Sequence, residues 1–564
     1  MAQAPLVQHF DLIAQAPGGV ARLRELILTL AVQGKLVQQD PSDEPASVLL
    51  QKIRAAKDRL IAEKKIRKGK PLPEIGDEEM FFELPETWTW VRLNSIGDWG
   101  AGATPSRTNS SYYGGAIPWF KSGELTADHI TVSEETVTEA ALRECSLRLN
   151  QPGDVLIAMY GATIGKTAIL DVVGTTNQAV CACTPFLGMS NSYLLMLMKA
   201  YKPYFISQGA GGAQPNISRE KIIHTVIGLP PLAEQSRIVT RVEELMQLCD
   251  ALEASGQLEA QQHAQLVGTL LGTLTQSETP EALTDNWQRI ATHFDLLLDR
   301  PEAVDALEQT ILQLAVRGLL VPQDPSDEPA SVLLQKIRAE KDNLIAQGKI
   351  KRDKPLAEIA DEEKPFELPQ GWEWVRLSAL AAFENGDRGR NYPSRSNFVE
   401  QGIAFINAGH LVNERIDYSD MNYITPQNFD LLRSGKIERG DILYCLRGSL
   451  GKFAQVTNDV VGAIASSLVI VRLTDQAIAS YVMLYLKSPL AANLIKRFDN
   501  GTAQPNLGAG DLAKFAVPLP PLVEQSHIIT RVNELRGLCA DLREKLEEQQ
   551  SKSSNLAEAL IEGG

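Results

Sequence analysis

Apolar residues recur at helical spacing through residues 20–36, at Val20, Leu23, Leu26, Ile27, Leu30 and Ala31, and Gly34 follows as a stop. This predicts a short amphipathic helix. Ser42 or Asp43 is placed to cap the next one, whose stripe runs through Val48, Leu49, Ile53 and Leu60 into the basic stretch 64–70, with Pro71 and Pro73 as its end. The pattern then changes to short apolar runs bounded by Gly, Pro and polar residues: Asp154 to Met159, Ala179 to Cys183, Asp441 to Leu446 and Ala463 to Val471. These predict strands, mixed with short helices such as 190–201. After each Leu-Pro-Pro-Leu the helical period returns. Ile528, Val532, Leu535, Cys539, Leu542, Leu546, Leu556 and Leu560 follow steps of 3 and 4 with a polar gap at 549 and 553, the seam of a coiled coil. Ile238, Val242, Leu245, Cys249 and Leu252 share that register, and Leu266 and Leu270 resume it beyond the polar interval from Gly256 to His263. A helix of ~40 residues spans about 60 Å, which makes it a spacer by geometry.

The order of these elements is written twice. His-Phe-Asp-Leu at 9–12 returns at 293–296, and QDPSDEPASVLLQKIRA at 39–55 returns unchanged at 323–339, both at an offset of 284. ELPETWTWVRL at 83–93 returns as ELPQGWEWVRL at 367–377 in the same phase. AQPNI at 213–217 and LPPLAEQSRIVTRVEEL at 229–245 return at 503–507 and 519–535 at an offset of 290, so the second copy gains six residues in between. Two units of about 280 residues account for the 564-residue chain, too long for one core. Between about 94 and 212, and between 378 and 502, only a skeleton survives, chiefly PGDVLIAMYGATIGKTA at 152–168 against RGDILYCLRGSLGKFA at 439–454. Kept flanks with changed centres read as one scaffold presenting two recognition surfaces; uneven drift of loops after duplication is the plain alternative.

Charge alters the picture only when divided. Taken whole, 55 Lys and Arg against 70 Asp and Glu give −15, which argues against a chain that coats itself in nucleic acid. By segment, 1–93 carries 0, 94–228 carries −1, 229–377 carries −12, 378–518 carries +1 and 519–564 carries −3. The acid lies in the repeated scaffold, while the divergent centres are neutral and gather cations in GATPSRTNSSYYGG at 102–115 and GDRGRNYPSR at 386–395. Arg and Lys beside Asn, Ser, Tyr and Gly suit phosphate and base-edge contact.

Candidate chemistry is sparse. GATIGKT at 161–167 resembles a phosphate loop one residue short, with Tyr160 where a Gly is required, and a Gly-rich turn between two strands is the better reading. Six cysteines (145, 181, 183, 249, 445, 539) form no CxxC pair, so a reducing, cytoplasmic setting is expected without a disulfide framework or zinc site. Cys249 and Cys539 sit in the apolar stripe and read as small buried hydrophobes. Seven scattered histidines offer no metal or nucleophilic constellation, and Glu134-Glu135 and Glu243-Glu244 read as solvated faces. Residues 1–19 lack the pattern of a secretory signal, and no run approaches the ~20 apolar residues of a membrane span, so no membrane is expected as a partner.

The ordered set WxWVRL, GATPSR…YYGGAIPWFKSGEL, PGDVLIAMYGATIGK, AQPNI and LPPLAEQ into a long helix resembles the target-recognition domain of type I restriction–modification specificity subunits. GDRGRNYPSR…GIAFINAGHL, GDILYCLRGSLGK, AQPNL and LPPLVEQ repeat it. The segment containing DPSDEPAS departs from that core pattern. The resemblance implies α/β (α+β, mixed-sheet) recognition domains joined by long antiparallel coiled-coil helices in a pseudo-two-fold tandem duplication. It divides the chain into helical scaffold 1–80, recognition domain 81–230, central long helix 231–275, helical scaffold 276–364, recognition domain 365–520 and C-terminal long helix 521–564. It implies a non-catalytic subunit that reads a bipartite site in double-stranded DNA and positions two methyltransferase subunits for adenine methylation, with two motor–nuclease subunits able to join. No cofactor is expected on this chain; S-adenosylmethionine, and ATP with magnesium for restriction, belong to the partners. A two-site scaffold that recruits proteins is the rival reading.

By motif, the first domain is expected to meet DNA through Thr104, Ser106, Arg107, Lys121, Ser122, Tyr160 and Lys166, with Gln214 and Asn216 near the groove. The second is expected to use Arg388, Arg390, Asn391, Tyr392, Arg395, Asn407, His410, Arg447 and Lys452, with Gln504 and Asn506. Gln and Asn suit adenine edges and Arg suits guanine. Turn chemistry is an equal reading of Gln-Pro-Asn, and Trp88, Trp90, Trp372 and Trp374 read as core.

Overall fold

A computed structural model describes residues 10, 12–69, 72–209, 216–277, 279–352, 356–390, 392–501 and 504–562. The chain forms two compact units, one of residues 1–259 and 549–564 and one of residues 260–548.

In the first unit the leading helix is Gly19–Val32, burying Leu23, Ile27, Leu30 and Ala31. It ends as its sequence predicts: Gly34 takes φ 71°, and the Lys35 N–H turns back to the Leu30 carbonyl at 2.9 Å. The next helix, Ala46–Ala62, departs from expectation at both ends. It starts after Pro45 without a side-chain cap. Ser42 instead donates its N–H and hydroxyl to Asp40 in an Asx turn at 2.9 and 2.7 Å, while Asp43 ion-pairs with Arg237. The helix stops well before the prolines because Lys64 adopts the left-handed conformation at φ 57°. Its counterpart in the second unit, Ala330–Ala346, reaches the same turn with Gly348 at φ 71°.

Each recognition domain is closed by one ribbon. Thr89–Arg92 pairs antiparallel with Val226–Leu229, and Glu373–Arg376 pairs with Ala516–Leu519 in the same register. The arginine ending each first strand is an anchor. Arg92, 5% exposed, donates to Glu79 at 2.7 and 2.8 Å and to the carbonyls of Pro73, Glu74 and His224. Arg376 repeats this with Glu363 and the Lys514 carbonyl. Buried Trp88 and Trp372 pack in the cores, while Trp90 and Trp374 pack half-buried against Phe82 and Phe366.

Inside the ribbons lie mixed sheets. The first domain has a five-stranded sheet (Gly97–Ala101, Val180–Pro185, Val155–Ala158, Thr167–Leu170, His129–Ile130) and a three-stranded one (Glu135–Val137, Tyr113–Phe120, Thr175–Thr176). The second has two four-stranded sheets, and both domains combine parallel and antiparallel pairs. GATIGKT is a turn between the paired strands Val155–Ala158 and Thr167–Leu170, where a phosphate loop would lead into a helix. The predicted run 463–471 is broken into Gly462–Ile464 and Leu468–Leu473.

The repeated QDPSDEPAS segment is a strap onto the start of each long helix. Gln39 donates to buried Glu234 at 2.7 Å, and Gln323 donates to buried Glu524 at 3.2 Å, where the Trp372 indole N–H also donates at 2.9 Å. Burial raises both carboxyls above their ordinary values.

The long helices are Leu232–Thr275 and Leu522–Glu562. Ile238, Val242, Leu245 and Cys249 are buried, as are Ile528, Val532 and Cys539. The predicted seam fails at two positions farther along: Leu266 and Leu556 are 51% and 52% exposed, whereas Val267 and Ala557 are buried, and the predicted Leu270 and Leu560 pack half-buried against the cores. An α-helix drifts about 20° per heptad from a 3.5-residue repeat. Over the roughly four heptads from Ile238 to Leu266 that amounts to about 80°, close to the 100° of one residue. Val267, Leu271 and Leu274 join the core of the second unit, and Ala557, Leu560 and Ile561 join that of the first, where Arg22 pairs with Glu558 at 2.7 Å.

Among the described residues no single helix is long and apolar enough to cross a membrane. The bent pair Gln476–Lys487 and Pro489–Phe498 passes on composition, but its Tyr481, Val482, Tyr485 and Ala491 lie in the core of the second unit.

Candidate nucleic-acid interface

The first domain's loop 102–112 is ordered by its own polar groups. Tyr113 donates its hydroxyl to the Pro105 carbonyl at 2.6 Å, Ser106 and Thr108 share a hydrogen bond at 2.8 Å, and Thr104 donates to Gln178. The Arg107 guanidinium lies 4.6 Å from the Tyr113 ring and 5.2 Å from the Trp119 ring. Its fork grips Glu135 at 2.5 and 3.1 Å, and Lys121 reaches Glu135 at 3.0 Å and Glu134 at 2.9 Å. Arg107, then Lys121, hold the Glu135 carboxyl down at about 2, so it is ionised across the neutral range. The reading of Glu134-Glu135 as a solvated face holds for the exposed Glu134 and is corrected for Glu135, which ties two expected contact cations together. Sequence alone carries no signal for it, because the partners meet through sheet register.

Ser122 follows Lys121 in the 3-10 turn Ser122–Glu124. Exposed Tyr160 bridges to Asn216, and the Ile217 N–H donates to the Met159 carbonyl at 2.9 Å. Lys166 lines a different depression with Glu25, Asp128, Lys199 and Lys202. Gln214 lies outside the described residues.

In the second domain, Arg388 and Arg390 are exposed on loop 386–395, with Arg388 donating to the Ser466 carbonyl at 3.4 Å; Asn391 lies outside the described residues. The loop is pinned by buried Asp387, which accepts the N–H groups of Gly389 at 2.6 Å and Arg433 at 2.9 Å; these bonds hold its carboxyl below the usual range. Tyr392 packs edge-on against Phe405 at 5.7 Å, and Arg395 is exposed on the 3-10 turn Arg395–Asn397. Arg447 bridges to Asn506 as Tyr160 does to Asn216, and Lys452 and Gln504 are exposed. Asn506 serves turn chemistry as well: its N–H donates to Asp499 at 2.9 Å and its amide to Asn500 at 2.8 Å.

His410 is a correction. It is 7% exposed, and both ring nitrogens are engaged: Nδ1 accepts the Asn407 N–H at 3.1 Å and Nε2 meets the Asp420 carbonyl at 3.1 Å. Glu124 does the same work in the first domain, accepting the Lys121 N–H at 2.6 Å. His410 closes a turn and has no free edge for DNA. Asn407, which opens that turn, has no partner for its amide NH2 among the described residues, while its oxygen accepts the Gly409 N–H at 2.8 Å.

The family model for the type I restriction modification DNA specificity domain matches residues 85–261 and again 369–549. The chain belongs to the type I restriction–modification specificity subunits. It is 36% identical to the Type I restriction enzyme EcoAI specificity subunit of Escherichia coli, covering 96% of this chain and 93% of that one. It is 35% identical to the EcoEI specificity subunit of Escherichia coli over the same shares. A solved chain from the work "Structural basis underlying complex assembly and conformational transition of the type I R-M system" is 17% identical with a TM-score of 0.49, covering 85% of this chain and 98% of that one. This specificity subunit carries two target-recognition domains, each bounded by the closing ribbon described above.

Proposed function

We propose that this specificity subunit reads a bipartite target in double-stranded DNA, one half-site per recognition domain, and has no catalytic residues of its own. The observation that carries the reading is the contrast between scaffold and surface. The ribbon register, the Arg92 and Arg376 anchors and the glutamine straps are repeated. Among the expected contacts, Arg107/Arg395, Lys166/Lys452, Gln214/Gln504 and Asn216/Asn506 are repeated, whereas Lys121, Ser122 and Tyr160 of the first domain are replaced by Asn407, Ala408 and Arg447 in the second. Repeated surfaces suit two copies of one partner, here two methyltransferase subunits that bind S-adenosylmethionine and methylate adenine; two motor–nuclease subunits using ATP and magnesium join for restriction. Changed surfaces suit two half-sites. The long helices act as a ruler, packed antiparallel as a coiled coil in a pseudo-two-fold arrangement, so that their length sets the spacer.

Mapping methylated adenines genome-wide in cells carrying this chain with its methyltransferase partner tests the reading. A bipartite motif with a fixed spacer is expected. Methylation without a bipartite motif would leave the protein-recruiting scaffold as the better account.

A further inference from the structure

Strand register allows the two recognition domains to be matched position by position. In the first, Trp119 pairs across the sheet with Glu135 and lies parallel to Thr175; in the second, Phe405 pairs with Asn422 and lies parallel to Ala463. Two residues on, Lys121 and Asn407 open matching 3-10 turns that Glu124 and His410 close. Trp119 therefore corresponds to Phe405, Lys121 to Asn407 and Glu135 to Asn422. The aromatic platform is kept while its neighbours change chemistry: an ammonium and a carboxylate become two carboxamides.

Directly opposed residues of a strand pair project from the same face. Glu135 thus stands beside the ring on which Arg107 lies, and Asn422 beside the ring against which Tyr392 packs. The arginines of the shared Pro-Ser-Arg motif differ in the same sense. Arg107 is clamped by Glu135, whereas Arg395, its counterpart in that motif, has no protein partner among the described residues. The half-buried Asn422 carboxamide likewise has none.

Hydrogen-bond capacity narrows what the first cluster can receive. A carboxylate offers about four lone-pair sites. Glu135 spends three, two on Arg107 and one on Lys121, which leaves one on Oε2. Arg107 spends two of its roughly five N–H donors there, leaving the others on a guanidinium held beside the Tyr113 and Trp119 rings. The charges of Arg107, Lys121, Glu134 and Glu135 cancel, so the cluster has no net attraction for phosphate. What remains is a set of positioned donors beside a single acceptor. Guanine presents two acceptors and cytosine one amino donor in the major groove, while adenine presents the donor and acceptor that a carboxamide matches.

We infer that the Glu135/Asn422 position determines the base-pair class read by each domain: Arg107 with Glu135 takes a G·C pair, guanidinium to guanine and carboxylate to the cytosine amino group, and Asn422 takes an A·T pair through the adenine edge. This rests on the DNA-reading function proposed above. Both residues are specificity-determining and neither belongs to a loop with a basic motif.

The test is methylated-site mapping for the full chain with its methyltransferase partner, comparing wild type, Glu135→Gln, Glu135→Asp and Asn422→Asp. Glu135→Gln is expected to relax one G·C pair in one half-site, with discrimination falling on the order of ten-fold to a hundred-fold, and to leave the other half-site unchanged. Asn422→Asp should relax one A·T pair in the opposite half-site to a similar extent. If Glu135→Gln abolishes methylation, Glu135→Asp, which keeps the acceptor, should restore it with the G·C preference; should that also fail, Asn422→Asp decides. A wild-type bipartite motif left unchanged by these variants, or relaxed at the other base-pair class or in both halves at once, overturns the inference. Absence of any bipartite motif in the wild type instead removes the DNA-reading function on which it rests.

Discussion

Duplication gives many single residues an internal control. Lys64 and Gly348 occupy the same turn of the repeated scaffold, both with positive φ, at 57° and 71°. A side chain in that region costs roughly 1 to 2 kcal/mol that glycine avoids, partly offset by glycine's greater freedom in the unfolded chain. Lys64→Gly is therefore expected to stabilise the chain by about 1 kcal/mol, read as a higher midpoint in thermal or urea unfolding; an unchanged or lowered midpoint would contradict it. Nothing in the periodicity of 46–62 announces this stop, because the competing signal, the prolines at 71 and 73, is the stronger one on paper. The same limit governs the interface. Arg107, Arg388 and Arg390 are legible as cations in polar loops, and the structure leaves their guanidinium groups at the surface. His410 is illegible: as a polar residue in a Gly-containing turn it looks like a contact, and only the hydrogen bonds at both of its nitrogens show it to be a turn closure. Glu135 and Asn422 were hidden for the converse reason, since their importance comes from partners brought opposite them by sheet register.

Among elements, hydrophobic periodicity located helices and strands well and phased the longest ones less well. Strands 155–158 and 442–445 and helix 191–200 fall within the runs that predicted them, and strand 180–185 runs two residues past its predicted end at Cys183. Each recognition domain owes this to buried strands that read as continuous apolar runs. In the long helices a heptad template fits the first three turns and then loses phase, because a straight helix gains on a 3.5-residue repeat. The consequence is measurable. Leu271 is buried in the second unit while Leu266 is half exposed, although the heptad assigns Leu266 and Leu270 to the seam. Leu271→Ala should cost about 3 kcal/mol of stability through the cavity it leaves, whereas Leu266→Ala should stay within roughly 0.5 kcal/mol. Equal losses in urea unfolding of the two variants would restore the heptad phase.

For the whole molecule, the internal repeat was the most informative signal, and it turns a charge of −15 that discourages nucleic acid into two neutral centres set in an acidic scaffold. What the repeat could not show is where one recognition domain can be cut from its frame. The ribbons supply that boundary. Thr89–Arg92 against Val226–Leu229 and Glu373–Arg376 against Ala516–Leu519 have the same register, and Arg92 and Arg376 make the same anchor beside them. Everything between the two strands is hung from a common frame, so it should be exchangeable as a block. Replacing residues 93–225 with residues 377–515 places the second domain's loops in both frames. Such a chain, expressed with its methyltransferase partner, is expected to methylate a bipartite site whose two halves are the same sequence, with the wild-type spacer unchanged because the long helices are untouched. Mapping the methylated adenines reads both features at once. A retained wild-type first half-site would mean that the flanks carry recognition, and an altered spacer would mean that the domains themselves, rather than the helices, set the distance.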